Sequence, residues 1–231
     1  MLSNQLVASN AANSDRQRQF TNFVLADWFP CVGVRSSINC AHAVHQNYAR
    51  PCKLRSVQTS CANLQKPSTE FHKPEERLVT FMAMFGEVVN SESEFKCLMW
   101  KHLQLMHPHD SAQFEWDQTV SAGPADANFS FSTAGRALFV VGLSPFASPV
   151  ARRSPAPCII FNFHDQFEAL RDRGKYASPE RVVRNRDFTT QGSINPMLDM
   201  FGEASEARQY SGCKQSAWWK CPFIAETSYE R

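Results

Sequence analysis

His164 stands directly after the apolar run Cys158-Ile159-Ile160-Phe161-Asn162-Phe163 and directly before the polar stretch Asp165-Gln166-Phe167-Glu168. A junction of this kind, strand into helix, projects side chains into clefts. An imidazole there, with carboxylates close by in sequence, is equipped to bind a metal or to exchange a proton near neutral pH. The same position suits a histidine that only hydrogen-bonds its neighbours, and residue type alone does not separate the two. His102 lies on an apolar helical stripe and reads as a satisfied core histidine. His107 and His109 flank Pro108 with Asp110 beside them, either a metal-binding set or an exposed loop cluster. Arg152-Arg153 follows a turn rich in Pro and Ser and would clamp a carboxylate through paired N–H···O bonds. A solvated basic turn has the same composition. Asp199, Glu203 and Glu206 form a carboxylate-rich segment able to pair with a cationic ligand or with the arginines of 181–187.

The eight cysteines include no C-x-x-C pair, which argues against common zinc and redox motifs. Cys31/Cys40 and Cys52/Cys61 share one spacing, compatible with a metal site but also with reduced thiols acting as small core hydrophobes. Cys31, beside Pro30, is either a thiolate ligand or a packing residue. No P-loop, no G-x-G-x-x-G and no Ser-His-Asp order is present, so kinase, dinucleotide and hydrolase chemistry receive no support.

The elements that must position these groups follow from periodicity. Residues 1–14 are rich in Asn, Ser and Ala and read as a disordered tail. Asp15 to Trp28 reads as a helix ended by Pro30. Asn47 to Pro74 shows no periodicity and is expected to be irregular. Arg77 to Val89 is expected to be an apolar helix. Ser91 and Glu94 form a capping-box pattern, opening a helix with Phe95, Leu98, Met99, His102, Leu103 and Met106 on one face and Pro108 at its end. Phe129-Ser130-Phe131-Ser132 alternates as a half-buried strand does, and Arg136–Leu143 and Pro157–Phe163 are short runs that read as buried strands. His164 to Arg173 reads as a helix closed by Gly174. Ser178-Pro179-Glu180 opens another. The expected fold is α+β, with residues 15–231 as one domain: a small central sheet packed by helices.

Composition bounds the rest. The 231 residues are 43% hydrophobic and 20% charged, with a formal net charge of +2. That balance gives no pull towards nucleic acid or a membrane surface, and no apolar run is long enough to span a bilayer. Met1 to Asp15 lacks the apolar core of a secretory signal, so a cytoplasmic protein is expected.

Several segments together resemble the YqcI/YcgG-like family, which includes enzymes of the pre-guanitoxin N-hydroxylase type. They are Phe29-Pro30-Cys31-Val32-Gly33, Phe129-Ser130-Phe131-Ser132, Leu138-Phe139-Val140-Val141-Gly142-Leu143 and Ala151-Arg152-Arg153. Then come Phe161 to Glu168 with Leu170-Arg171, Arg186-Asp187, Gln191 to Leu198, Ser205 to Gly212, and Trp219-Lys220-Cys221-Pro222-Phe223. The resemblance runs from about the first helix to the C-terminus and is densest after Phe129. It implies a haem b monooxygenase that uses dioxygen and an external electron donor to hydroxylate a guanidine nitrogen of arginine or a relative. It implies His164 as the axial ligand of the haem iron, with Cys31 the next candidate. It makes Glu168, one helical turn beyond His164, a catalytic group that orients a ligand or binds the guanidinium. Arg152 or Arg153 would take the substrate carboxylate, and Glu206 its guanidinium.

The chain also departs from the pattern. Ser144 stands where the family often has histidine, Pro149 where it has arginine, and Cys213 where arginine usually follows Y-S-G. The alternative is therefore a non-catalytic haem or small-molecule binding member of the same family.

Overall fold

The computed structural model describes residues 2–70, 78–174, 177–193 and 204–225, and the side chains of all of these but 2–9, 69–70 and 177–180. Asp199 and Glu203 lie outside the described residues, as do the side chains of Ser178, Pro179 and Glu180.

The chain begins with helices α1 (Leu2–Leu25) and α2 (Val32–Asn39), then strand β1 (Ala43–Tyr48), helix α3 (Leu54–Glu70), strand β2 (Thr80–Phe85) and helix α4 (Glu92–Ser111). Strands β3 (Phe131–Thr133) and β4 (Arg136–Leu143) follow, then a 3-10 turn (Val150–Arg152), strand β5 (Cys158–Phe163), and helices α5 (His164–Asp172), α6 (Ala177–Gln191) and α7 (Ala207–Tyr210). The five strands form one mixed sheet in the order β1-β2-β5-β4-β3. β1 and β2 are parallel and the other neighbours antiparallel. The fold is α+β, a five-stranded sheet packed by helices.

Period-two alternation divides the sheet's side chains between two cores. Phe81, Ala83, Phe85, Ile159, Phe161, Phe163, Leu138 and Val140 face α3, α4 and α7. Met82, Met84, Cys158, Ile160 and Leu143 face Phe20, Val24, Phe29 and Val34 of the α1–α2 side. Because both faces are covered, β2 is buried at every position. This corrects the helix expected over Arg77–Val89: a strand buried on both sides is continuously apolar, and such a run carries no period to distinguish it from a buried helix.

The segment expected to be irregular, Asn47–Pro74, holds the end of β1 and all of α3. Val57, Cys61 and Leu64 recur at helical spacing and are buried, with Ser56, Ser60 and Ser68 buried beside them, while Arg55, Gln58, Thr59 and Lys66 face solvent. Packing against α4, not propensity, sustains such a helix. The helix expected from Asp15 is longer than read: α1 begins at Leu2, within the segment read as a tail, and ends at Leu25.

α4 starts at the Ser91–Glu94 pair, with Ser91 Oγ accepting from Glu94 N at 3.1 Å and Glu94 Oε2 accepting at 2.6 Å from Asn90 N, one residue ahead of the cap. Pro108 lies inside α4 rather than closing it. His102 is the core histidine its stripe suggested. It is fully buried, and burial pushes its pKa down to about 4. Nδ1 accepts from Cys52 N at 3.2 Å, so the ring proton is on Nε2, 3.3 Å from Ser60 Oγ. Asp110 caps the β3–β4 turn, accepting from Thr133 Oγ1 at 2.6 Å and Ala134 N at 2.9 Å. His107 packs between the rings of Trp116 and Phe223.

Two polar ties fix the element that carries His164. Ser37, Thr80 and Asn162 form a buried chain joining α2, β2 and β5, with contacts of 3.0 Å. Gln166 of α5 accepts from Val79 N at 2.8 Å. No helix among the described residues is long and apolar enough to cross a membrane.

Candidate active site around His164

β5 is buried along its length, and α5 opens on the residue after it. His164 therefore sits in the first turn of α5 with its side chain still inside the protein, 6% exposed. Burial lowers its pKa, and Glu168, Asp117 and Asp165 only partly offset that, while Arg171 adds to the lowering. The N-terminal end of a helix also disfavours a cationic imidazole. The ring is neutral, with one nitrogen carrying a proton and one a lone pair.

Each ring nitrogen faces a carboxylate. Nδ1 is 3.6 Å from Glu206 Oε1, and Nε2 is 3.3 Å from Glu168 Oε1. The two carboxylates differ in surroundings. Glu168 is partly open to solvent and also pairs with Arg171. Glu206, just ahead of α7, is 4% exposed. Ser205 anchors its segment by donating to the Pro124 carbonyl at 2.7 Å and accepting from Ala207 N at 3.2 Å. Burial pushes the Glu206 pKa up to about 7, although the hydroxyls of Ser130 and Tyr210 face it and work the other way. Oε2 of Glu206 is buried and makes no hydrogen bond among the described residues.

Further groups wall the site. Tyr210 accepts from Phe131 N at 2.9 Å and donates to the Leu138 carbonyl at 3.3 Å. Asp117 accepts from Thr119 and from Ala137 N, and those bonds hold its pKa low against burial. Arg136 lies over the Phe163 ring and pairs with Asp165 at 2.6 Å. The residue reading did not single out Asp117, Arg136, Ser130 or Tyr210. Their positions follow from strand register and from the docking of α7, which no local pattern encodes.

Arg152 and Arg153 are not part of this site. Arg152 is buried and its Nη1 donates to the carbonyls of Gly142 at 3.3 Å and Tyr210 at 3.0 Å. Gly142 pairs with Ile159, four residues along β4 from Leu138, which pairs with Phe163 beside His164. At the strand rise this is about 13 Å. Arg153 donates to the carbonyls of Ala147 and Ser148 in its own loop. The expected carboxylate clamp is instead a pair of staples on backbone carbonyls, because a chain turning back at the end of β4 leaves acceptors that need donors.

Cys31 lies on the Arg152 side. It caps α2, packs with the α1–α2 core, and has Arg152 as its charged neighbour. Burial pushes its thiol up, outweighing the amides of Val34 and Gly33 and the Arg152 charge. A protonated thiol is a poor iron ligand at neutral pH. The three positions that depart from the resembled pattern gather at this same end. Ser144 N donates to the Arg152 carbonyl, Arg152 N donates to the Pro149 carbonyl, and Cys213 is a charged-state neighbour of Arg152.

The described residues bring no three His, Cys, Asp or Glu side chains together as a metal site, so neither the paired cysteines nor His107, His109 and Asp110 make one. A haem asks for less, since the porphyrin supplies four donors and the protein one. His164 fits that requirement. Nδ1 faces the Glu206 carboxyl and Nε2 faces Glu168, so iron held at Nε2 would require Glu168 to turn out towards Arg171. Metal-bound histidines have this backing carboxylate.

Glu206 makes a pH test available. Its folded pKa lies above the ordinary 4.5, so the folded state binds the extra proton. Stability from this group is present below about pH 4.5 and is lost as pH rises through about 7, by roughly 3 kcal/mol in all. Glu206→Gln should remove that slope. The difference between wild-type and variant unfolding free energies in urea, measured at pH values from 5 to 8, should therefore change with pH. A constant difference rules out a buried, protonated Glu206.

A search of curated proteins and a search of solved structures returned no match. The family model described as the YqcI/YcgG family matches residues 20–224, the whole of the sheet and every residue of the site just described. The chain belongs to the YqcI/YcgG family.

Proposed function

We propose that this protein is a haem-dependent N-hydroxylase of a guanidino compound, with His164 as the iron ligand. The observation that carries the proposal is the buried, neutral His164 backed at 3.6 Å by the buried carboxyl of Glu206. When bound, haem b supplies the oxidising chemistry, drawing on dioxygen and an external electron donor. The chain's own contribution is orientation. Glu206, 3.6 Å from Nδ1, would orient the ring, and Asn162 and Gln166 fix the backbone on either side. This geometry changes the role expected for Glu206. Facing Nδ1, Glu206 would orient His164 as the residue that holds haem, rather than bind the substrate guanidinium.

A second reading, a non-catalytic haem or small-molecule binding member, is favoured by one observation: Ser144, Pro149 and Cys213 all adjoin Arg152. In that case the unpaired Glu206 Oε2, with Glu168, is the anchor for a cationic ligand.

One experiment separates the two. Protein loaded with haem is given arginine, a reductant and air, and the products are weighed by mass spectrometry. A one-oxygen gain supports hydroxylation. Bound haem without product, in both the natural protein and Ser144→His/Pro149→Arg, supports the binding protein or a substrate other than arginine. Product only from the double variant means that the altered end of β4 has silenced a hydroxylase.

A further inference from the structure

Much of the larger core is aromatic, and one line through it differs from the rest. Trp218 is 91% exposed, and Trp219, next in the chain, is half-buried. The Trp219 ring lies 6.1 Å from that of Trp100, and Trp100 is stacked on Tyr210 at 5.7 Å with 22° between the planes. The Tyr210 hydroxyl faces the carboxyl of Glu206, whose Oε1 is 3.6 Å from His164 Nδ1. Every ring on this line belongs to a residue type from which one electron is readily removed. The other tryptophan of this core, Trp116, is separated from Tyr210 by Phe129, and a phenyl ring does not serve as a redox stepping stone.

The hydrogen bonding suits charge movement as well as packing. Trp100 Nε1 is buried with no hydrogen-bond partner among the described residues. An oxidised Trp100 therefore has no base to take its proton, keeps its positive charge, and passes the vacancy on. Tyr210 is the opposite case, because the oxidised phenol must lose its proton and polar groups surround its hydroxyl: the Leu138 carbonyl that accepts from it and the Glu206 carboxyl that faces it.

We infer that Trp219, Trp100 and Tyr210 form a one-electron path between the protein surface and the His164–Glu206 site. Electrons move inward from Trp219 to Trp100 to Tyr210 whenever an oxidant acts at the site. Run the other way, an oxidant at the surface takes one electron from Trp218 or Trp219. Trp100 refills that vacancy and Tyr210 refills Trp100. Tyr210 ends as a neutral tyrosyl radical, its proton on Glu206. The use of this path in turnover rests on the haem reading given above. The path itself does not, and its test needs no cofactor.

The test is pulse radiolysis of the full chain, without haem, in azide solution. The azidyl radical takes one electron from exposed tryptophan and becomes azide. The expected result is decay of tryptophanyl absorbance matched by growth of tyrosyl absorbance, in a first-order phase whose rate does not depend on protein concentration. Trp100→Phe and Tyr210→Phe should each lose that phase, with circular dichroism and melting curves confirming that the variants fold. Trp219→Phe, at a half-buried position, serves as the third variant if the core changes unfold the protein, and it should slow the phase. Tyrosyl growth that is unchanged in Tyr210→Phe, or in every variant that folds, overturns the path. So does growth that is second order in protein.

Discussion

His164→Ala should leave the protein unable to retain haem. Among the described residues no other group combines a neutral imidazole, deep burial and a carboxylate behind the ring. His102 has the burial, but its Nδ1 accepts from Cys52 and its Nε2 proton points at Ser60. Cys31 is held protonated by burial. On the proposed reading the variant lacks the one directional attachment that His164 would offer to haem iron, and hydrophobic contact alone would hold a porphyrin loosely. Haem titrated into wild type and variant, followed by the Soret band, measures the effect. Glu206→Gln should bind more weakly by about ten- to a hundredfold, the usual cost of removing a partner behind a metal ligand. Cys31→Ser should match wild type. An unchanged spectrum in His164→Ala would place the ligand elsewhere.

Arg152→Met should be the most destabilising change at the other end of β4, by about 3 kcal/mol. The guanidinium donates to the carbonyls of Gly142 and Tyr210, and each acceptor orphaned by its loss costs roughly 1–3 kcal/mol. Gly212, at φ 75°, lets the chain pass so close that a β-carbon there would lie 3.1 Å from Arg152 Cγ. The side chain is therefore built into the crossing between α7 and the sheet. Burying the charge opposes this gain and lowers the Arg152 pKa to about 10, so the net effect falls short of the sum of the two bonds. Arg153→Ala, whose guanidinium reaches solvent, should cost less than about 1 kcal/mol. Urea midpoints at unchanged slope give both values. A wild-type midpoint for Arg152→Met, together with weaker arginine binding, would return Arg152 to the substrate.

β4, β5, α4 and α5 were legible in the sequence because their signals are local. Ser91 and Glu94 declare a helix start through their own side chains, and the glycine-bounded apolar run into β4 has strand length. β2 and α3 were not. A strand covered on both faces loses its alternation, and α3 sets its buried apolar Val57, Cys61 and Leu64 among polar residues, of which Ser56, Ser60 and Ser68 are themselves buried. The site divides in the same way. His164 could be picked out because the boundary between apolar run and polar stretch falls on it, and Glu168 because one helical turn separates the two.

What the sequence determined, then, is the set of short-range facts: which runs are apolar, where helices are capped, which residues share a turn, and the family motifs themselves. Tertiary structure alone decided which charged residues meet. Glu206 is 42 residues from His164 in the chain, and it reaches the imidazole only because α7 docks on β4. Arg152 is 12 residues away, and its guanidinium bonds the carbonyl of Gly142, four residues along β4 from Leu138, whose partner Phe163 precedes His164. Proximity along a chain holds only within one helix or turn. Beyond that, strand register and the burial of whole faces set the distances, and those are properties of the assembled core.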